Sequence, residues 1–226
     1  MKLYFIGTSH IAKESILEIK KAFQEYAPDI VAVELDPRRT YALLHPHTKR
    51  LALSSIAKIG LKGYVFVLIG QYLQQKLGKI VGIAPGSEMK TALQLAQEQR
   101  KVIALIDQPI EITLRKLSFT WKEKWHFGMS LLKALISPRQ QVKELGLENF
   151  DLRKVPEKEL ISSLIKQLRK EYPSLYRTLI EERNRYMVRQ LVKLLREHPE
   201  KKILVVVGAG HVEGMKELLL KVDMVR

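Results

Sequence analysis

Two Gly-x-x-His sequences near the ends of the chain, Gly7-Thr8-Ser9-His10 and Gly208-Ala209-Gly210-His211, each place an imidazole just past an apolar run. Residues 3–6 precede the first and residues 203–207 the second, both long enough for a buried strand. Two further runs of this kind end in acids: residues 30–33 lead into Glu34 and Asp36, and residues 102–106 into Asp107. Two neutral imidazoles and a carboxylate are a ligand set for a divalent ion that keeps one position for water. Such water becomes a nucleophile near neutral pH. The same residues also suit a plainer role, in which each His caps a tight strand-to-helix turn and Asp107 caps a turn of its own. His45, His47, His126 and His198 read as surface or loop residues.

These side chains can meet only if the four runs lie side by side as strands. Ile11, Ile16, Ile19 and Phe23 are spaced for one face of a helix that ends before Pro28, so the first two runs bracket a strand–helix–strand crossover. Ser87 is placed to cap a helix over residues 88–100, with Met89, Ala92, Leu93 and Ala96 on one side, leading into the third run. Residues 111–198 read as helical almost throughout, with breaks at Pro138, Pro156 and Pro173. The expectation is an α/β fold: a central, mainly parallel sheet flanked by helices, with a helical insertion before the last core strand. It forms one domain over residues 1–226, with helical insertions at about 40–84 and 111–200. In such sheets, ligands bind beyond the carboxyl ends of the strands, where all four chemistry-bearing ends would lie.

The two Gly-x-x-His segments echo each other. Placing Gly7 over Gly208, an offset of 201 residues, also aligns Leu3 with Leu204, Ile6 with Val207, His10 with His211 and Leu17 with Leu218. Both copies have one plan, an apolar strand, a turn and a helix, which puts both imidazoles at the same rim.

Composition narrows the classes. A chain of 226 residues with 46% apolar residues can bury a full core. It has no cysteine, so disulfides and thiolate ligands are excluded and an ion would need His, Asp or Glu. No apolar run approaches the roughly 20 residues of a spanning helix, and the first run is too short for a signal peptide, so a cytoplasmic or membrane-peripheral protein is expected. The formal charge of +15 favours anionic partners. Without a zinc finger, an RNA-recognition motif or an Arg-Gly tract, nucleic acid is disfavoured. Basic residues interleave with apolar ones over residues 51–81, which suits either a lid over the sheet or a segment at an anionic membrane surface.

Arg183 falls near the middle of an apolar stripe made by Leu175, Leu179, Tyr186, Met187, Leu191 and Leu194. A guanidinium there needs an acidic partner or a substrate. Glu182, at the stripe's edge, could reach the rim with it, or the two could form a structural ion pair.

Taken in order, these residues resemble the TraB family, which includes bacterial pheromone-shutdown proteins and is similar to the Tiki proteases of animals. The resemblance rests on Gly7-Thr8-Ser9-His10, Val31-Ala32-Val33-Glu34-Leu35 with Arg38 and Arg39, and Pro85-Gly86-Ser87-Glu88-Met89. It continues through Leu105-Ile106-Asp107, Ile112-Thr113-Leu114-Arg115, Glu181-Glu182-Arg183-Asn184 and Val207-Gly208-Ala209-Gly210-His211-Val212. It implies a fold shared with the erythromycin-esterase and ChaN-like group, and a metal-dependent peptidase. The ligands would be His10, His211 and Glu34, and the ion Mn, Co or Zn. Glu34 either completes the coordination or acts as general base, Arg183 stabilises the oxyanion and Glu182 orients it. Gly7, Glu88, Asp107, Arg115 and Gly208 support them. The rival expectation is a non-catalytic module that holds a peptide or pheromone at a membrane surface, and a homo-oligomer is compatible with either.

Overall fold

In the computed structural model of the chain, the described residues are 2–8, 13–45, 86–117, 120, 122, 123, 125 and 158–223. Four parallel strands form the sheet: β1 (Leu3–Thr8), β2 (Ile30–Val33), β3 (Val102–Leu105) and β4 (Ile203–Gly208), in the order β1-β4-β2-β3. The helices are α1 (Lys13–Glu25), α2 (Pro37–Leu44), α3 (Ser87–Glu98), α4 (Ile110–Lys116), α5 (Lys158–Glu171), α6 (Pro173–Tyr176), α7 (Glu182–Glu197) and α8 (Ala209–Asp223), with a π-helical turn, Arg177–Glu181, leading into α7.

Strand periodicity sorts the core into two layers, because successive side chains of a strand point to opposite faces. Val31, Val33, Leu204 and Val206 face one side with Ile19 and Phe23 of α1 and Met89 and Leu93 of α3. Ile30, Ala32, Ile203, Val205 and Val207 face the other with Met187 and Leu191 of α7 and Met215 and Leu219 of α8. β2 and β4, buried throughout, are covered on both faces and so read as unbroken apolar runs. At the edge, β3 leaves Val102 exposed.

The expected α/β architecture is therefore present, with described helices α4 to α7 between β3 and β4. The echo between the chain ends has a structural counterpart, since β1 and β4 are hydrogen-bonded neighbours. Their register pairs Leu3 with Ile203 and Thr8 with Gly208, one residue away from the alignment of glycine on glycine.

Two local expectations change. Ser87 does not cap α3 but begins it, and Gly86 is the cap, at φ +81°, a left-handed conformation that glycine adopts without steric cost. The helix stops at Glu98, two residues short of the expected end, and Arg100 turns the chain at φ +52° into β3. The segment 51–81, read as a lid or a membrane-facing stretch, and the breaks at Pro138 and Pro156 lie outside the described residues.

Candidate functional site

The carboxyl ends of the strands line up as Thr8, Gly208, Glu34 and, two residues past β3, Asp107. The ladder continues beyond the strands proper, with Glu34 N–H donating to Val206 O at 3.0 Å and Asp107 N–H to Leu35 O at 3.3 Å. This pins both acids to the rim. Glu34 Oε2 accepts from Gly208 N–H at 2.6 Å, so the carboxylate of one strand end is held by the backbone of the next. Asp36 caps α2, accepting from the amides of Arg38 at 2.8 Å and Arg39 at 3.0 Å.

Arg183 enters this rim from the first turn of α7. Its Nε donates to Asp107 at 3.2 Å from both carboxylate oxygens, and Nη2 donates to Asp107 Oδ2 at 2.6 Å and to Glu34 Oε1. Nη1 donates to the carbonyl of Leu179, the middle residue of the π-helical turn, at 3.2 Å and contacts His211 Nε2 at 3.1 Å. A guanidinium has five N–H groups, and each has a partner here. Arg39 extends the network, donating from Nε to Asp36 Oδ2 at 2.7 Å and from Nη2 to Asp107 Oδ2. Burial opposes the charge of Arg183, but the carboxylates of Glu34 and Asp107 outweigh it and raise its pKa. Removing one member of such a buried set leaves charge without its partner, at a cost of about 3–5 kcal/mol.

His211 lies in the first turn of α8 and is buried. Its Nδ1 is 2.6 Å from Asn184 Oδ1, which can only accept, so Nδ1 carries the proton. Its Nε2 faces Arg183 Nη1 at 3.1 Å and Glu34 Oε1 at 3.4 Å. The carboxylate alone would favour a proton on Nε2, but a guanidinium can only donate, and its contact is the shorter. The ring is accordingly neutral, with its basic nitrogen turned to the rim. Gly214, one turn further along α8, makes room for this arrangement: a Cβ there would lie 2.5 Å from Asn184 Nδ2.

Glu34, Asp107, Arg183 and His211 thus converge from β2, β3, α7 and α8, and Gly208 joins them through its amide. Glu182 does not join Arg183. Its carboxylate takes Lys116 Nζ at 2.7 Å on the partly exposed side of α7, and Asp107 and Glu34 hold Arg183 instead. Arg115 lies in the last turn of α4 and is exposed. Glu88 is buried in the first turn of α3, where the positive end of a helix favours a carboxylate. Gly7 sits within β1 beside Val207. His10 lies outside the described residues.

Three members of the network were in view in the sequence but without a place in it. Asn184 is polar on the same helical stripe as Met187, Val188 and Leu191, and a buried amide on an apolar stripe signals a specific partner. Asp36 was one of the strand-end acids, and its capping position follows from the Pro37 that begins α2. Arg39 has a local partner in Asp36, three residues before it, but its reach to Asp107, 68 positions away, leaves no mark in the sequence.

The spacing of His211 Nε2 and Glu34 Oε1, 3.4 Å, suits two ligands of one tetrahedral ion, which stand roughly 3.3–3.4 Å apart at ordinary bond lengths. The charge does not suit it. Both atoms are engaged by the guanidinium of Arg183, and a second cation beside it would meet repulsion in a buried setting. Among the described residues, no group of three or more His, Asp or Glu side chains is arranged to hold an ion. With Arg183 on both, Glu34 and His211 do not present two open ligand atoms to an ion, and the third expected ligand, His10, lies outside the described residues.

The chain matches the TraB/PrgY/gumN family over residues 1–222, and it belongs to that family. It is 37% identical over 226 residues to an uncharacterized protein of Methanocaldococcus jannaschii, covering 98% of this chain and 54% of that protein. It is 27% identical over 251 residues to the mouse TraB domain-containing protein, covering 96% of this chain and 62% of the mouse one. The chain therefore spans about half to three-fifths of the length of these relatives. An erythromycin esterase variant in its open conformation overlaps 92% of this chain and 60% of its own, with 14% identity and a TM-score of 0.35. Function has to be argued from the site itself.

Proposed function

We propose that the chain is a hydrolase that activates water at the Glu34–His211 edge of the rim, and that it acts on a peptide. The observation that carries this reading is the buried carboxylate and imidazole 3.4 Å apart at the carboxyl end of the sheet. Proton removal from water needs a base kept ionised and pointed, and Glu34 is held so by Arg183 and by the Gly208 amide. His211, kept in its Nδ1–H form by Asn184, accepts from Arg183 through Nε2 and so helps to hold the guanidinium that orients Glu34. Arg183 spends its donors on these groups, so in this reading it is a positioning residue and not the oxyanion's partner. The oxyanion falls to the first-turn amides of α8, whose helix end carries partial positive charge beside the pair. Peptide is the substrate class implied by the resemblance to the Tiki proteases.

The test is cleavage of a mixed peptide library by the native chain, with chelator and separately with added Mn²⁺, Co²⁺ or Zn²⁺, repeated for Glu34→Gln and His211→Ala. Turnover that falls about 10²- to 10⁴-fold in both variants is expected. Equal turnover in Glu34→Gln overturns the reading, and peptides bound tightly but recovered intact under every condition replace it with a peptide-holding module.

A further inference from the structure

The site already contains a cation. Arg183 stands between the two atoms best spaced to share an ion, Glu34 Oε1 and His211 Nε2, and contacts both. Its remaining donors are fixed by Asp107 and by Leu179 O, so it cannot slide aside while keeping its other bonds. Nε2 of a neutral imidazole has one lone pair, and here it accepts from Nη1. A metal ion needs that same lone pair.

We infer that Arg183 is the resident cation of the rim, and that its guanidinium and a divalent ion exclude one another at Glu34 and His211. The site then works with an organic cation built into α7, and it becomes an ion site only when Arg183 is removed or withdrawn. This inference shares its residues with the proposed hydrolase but is read by ion occupancy, not by turnover. Either can fail without the other.

The experiment is equilibrium dialysis of the full chain against Mn²⁺ and, separately, Zn²⁺, with bound metal measured by elemental analysis. The proteins compared are the native chain, Arg183→Met, Arg183→Lys, His211→Ala and the double variant Arg183→Met/His211→Ala. The methionine keeps much of the buried volume, and the lysine keeps the charge should the neutral variant not fold. The native chain and His211→Ala are expected to bind alike, which shows that no ion uses this imidazole while Arg183 is present. Arg183→Met is expected to gain one ion with affinity at least about tenfold higher, and the double variant to lose it. In Arg183→Lys the compact ammonium cannot span both acids and the imidazole, so an intermediate gain is expected. A native chain that holds one ion lost in His211→Ala overturns the inference, whatever the variants do. So does an absence of gain in both Arg183 variants.

Discussion

With Nδ1–H committed to Asn184 Oδ1 at 2.6 Å, His211 can present only Nε2 to the rim, and an amide on another helix sets which nitrogen is basic. Asn184→Ala should remove that selection. Nitrogen-15 NMR of the histidine ring is expected to show an Nδ1–H tautomer in the native chain and a mixture in the variant, with a stability loss of about 1–3 kcal/mol from the orphaned N–H. Gly214→Ala should act in the same direction without replacing either polar side chain, because its methyl would lie 2.5 Å from Asn184 Nδ2 and displace it. A native spectrum showing Nε2–H, or a doubly protonated ring at neutral pH, would contradict the arrangement. In either case Nε2 would be a donor facing the guanidinium, which can only donate.

At the scale of elements, the rim depends on how the helices before β4 are joined. The π-helical turn Arg177–Glu181 inserts one residue into what would otherwise be a continuous helical path, and so resets the face on which Arg183 and Asn184 emerge. A second device ties the start of this region down. Glu123 is buried, and its Oε2 accepts from Thr120 N–H at 2.6 Å and Thr120 Oγ1 at 2.9 Å, while Oε1 accepts from Ser174 N–H at 2.7 Å. Burial alone would raise its pKa, but the backbone and side-chain hydrogen bonds of Thr120 and Ser174 together outweigh burial and hold it below the ordinary 4.5. A carboxyl group depressed in the folded state adds stability that is complete above its unfolded value and disappears as pH falls through the folded one. Glu123→Gln should therefore cost about 1–3 kcal/mol at pH 7, since an amide NH₂ cannot accept from these N–H groups. The difference from the native chain should shrink as pH drops below about 4.5 in denaturant melts. A cost that stays constant through that range would rule out the carboxylate as its source.

For the whole molecule, the sheet separates two kinds of surface. Its centre is closed on both faces by helices, leaving the carboxyl rim as the place where polar groups from distant parts of the chain can gather. Over the whole sequence, 39 basic residues against 24 acidic ones give the formal charge of +15. Among the described residues, no helix is long and apolar enough to cross a membrane. If the charge acts as a whole-molecule field, the chain should bind vesicles containing phosphatidylserine and release them as salt rises from about 50 to 500 mM, following the shortening Debye length. Co-sedimentation that is indifferent to salt would assign the contact to apolar insertion instead, and no binding at low salt would remove membrane attraction from consideration.

The sequence alone was enough to find the four strands, because β2 and β4 are buried throughout, β1 and β3 are covered in part, and all four are short apolar runs set off from their neighbours. It also located Glu34, Asp107 and His211 at strand ends and Arg183 on a buried stripe, since polar residues at such positions break a local pattern. What it could not reveal was who holds whom. Arg183 pairs with Glu34 across 149 positions and with Asp107 across 76, and β1 meets β4 one residue away from the register that glycine matching suggested. Partner choice of that kind depends on sheet order, crossover direction and the extra residue of a π turn, and small changes in any of these redirect a side chain by several ångströms. Glu182 and Arg183 look equivalent as adjacent charges, yet the turn of α7 sends one to Lys116 and the other into the rim. Only the folded chain makes that distinction.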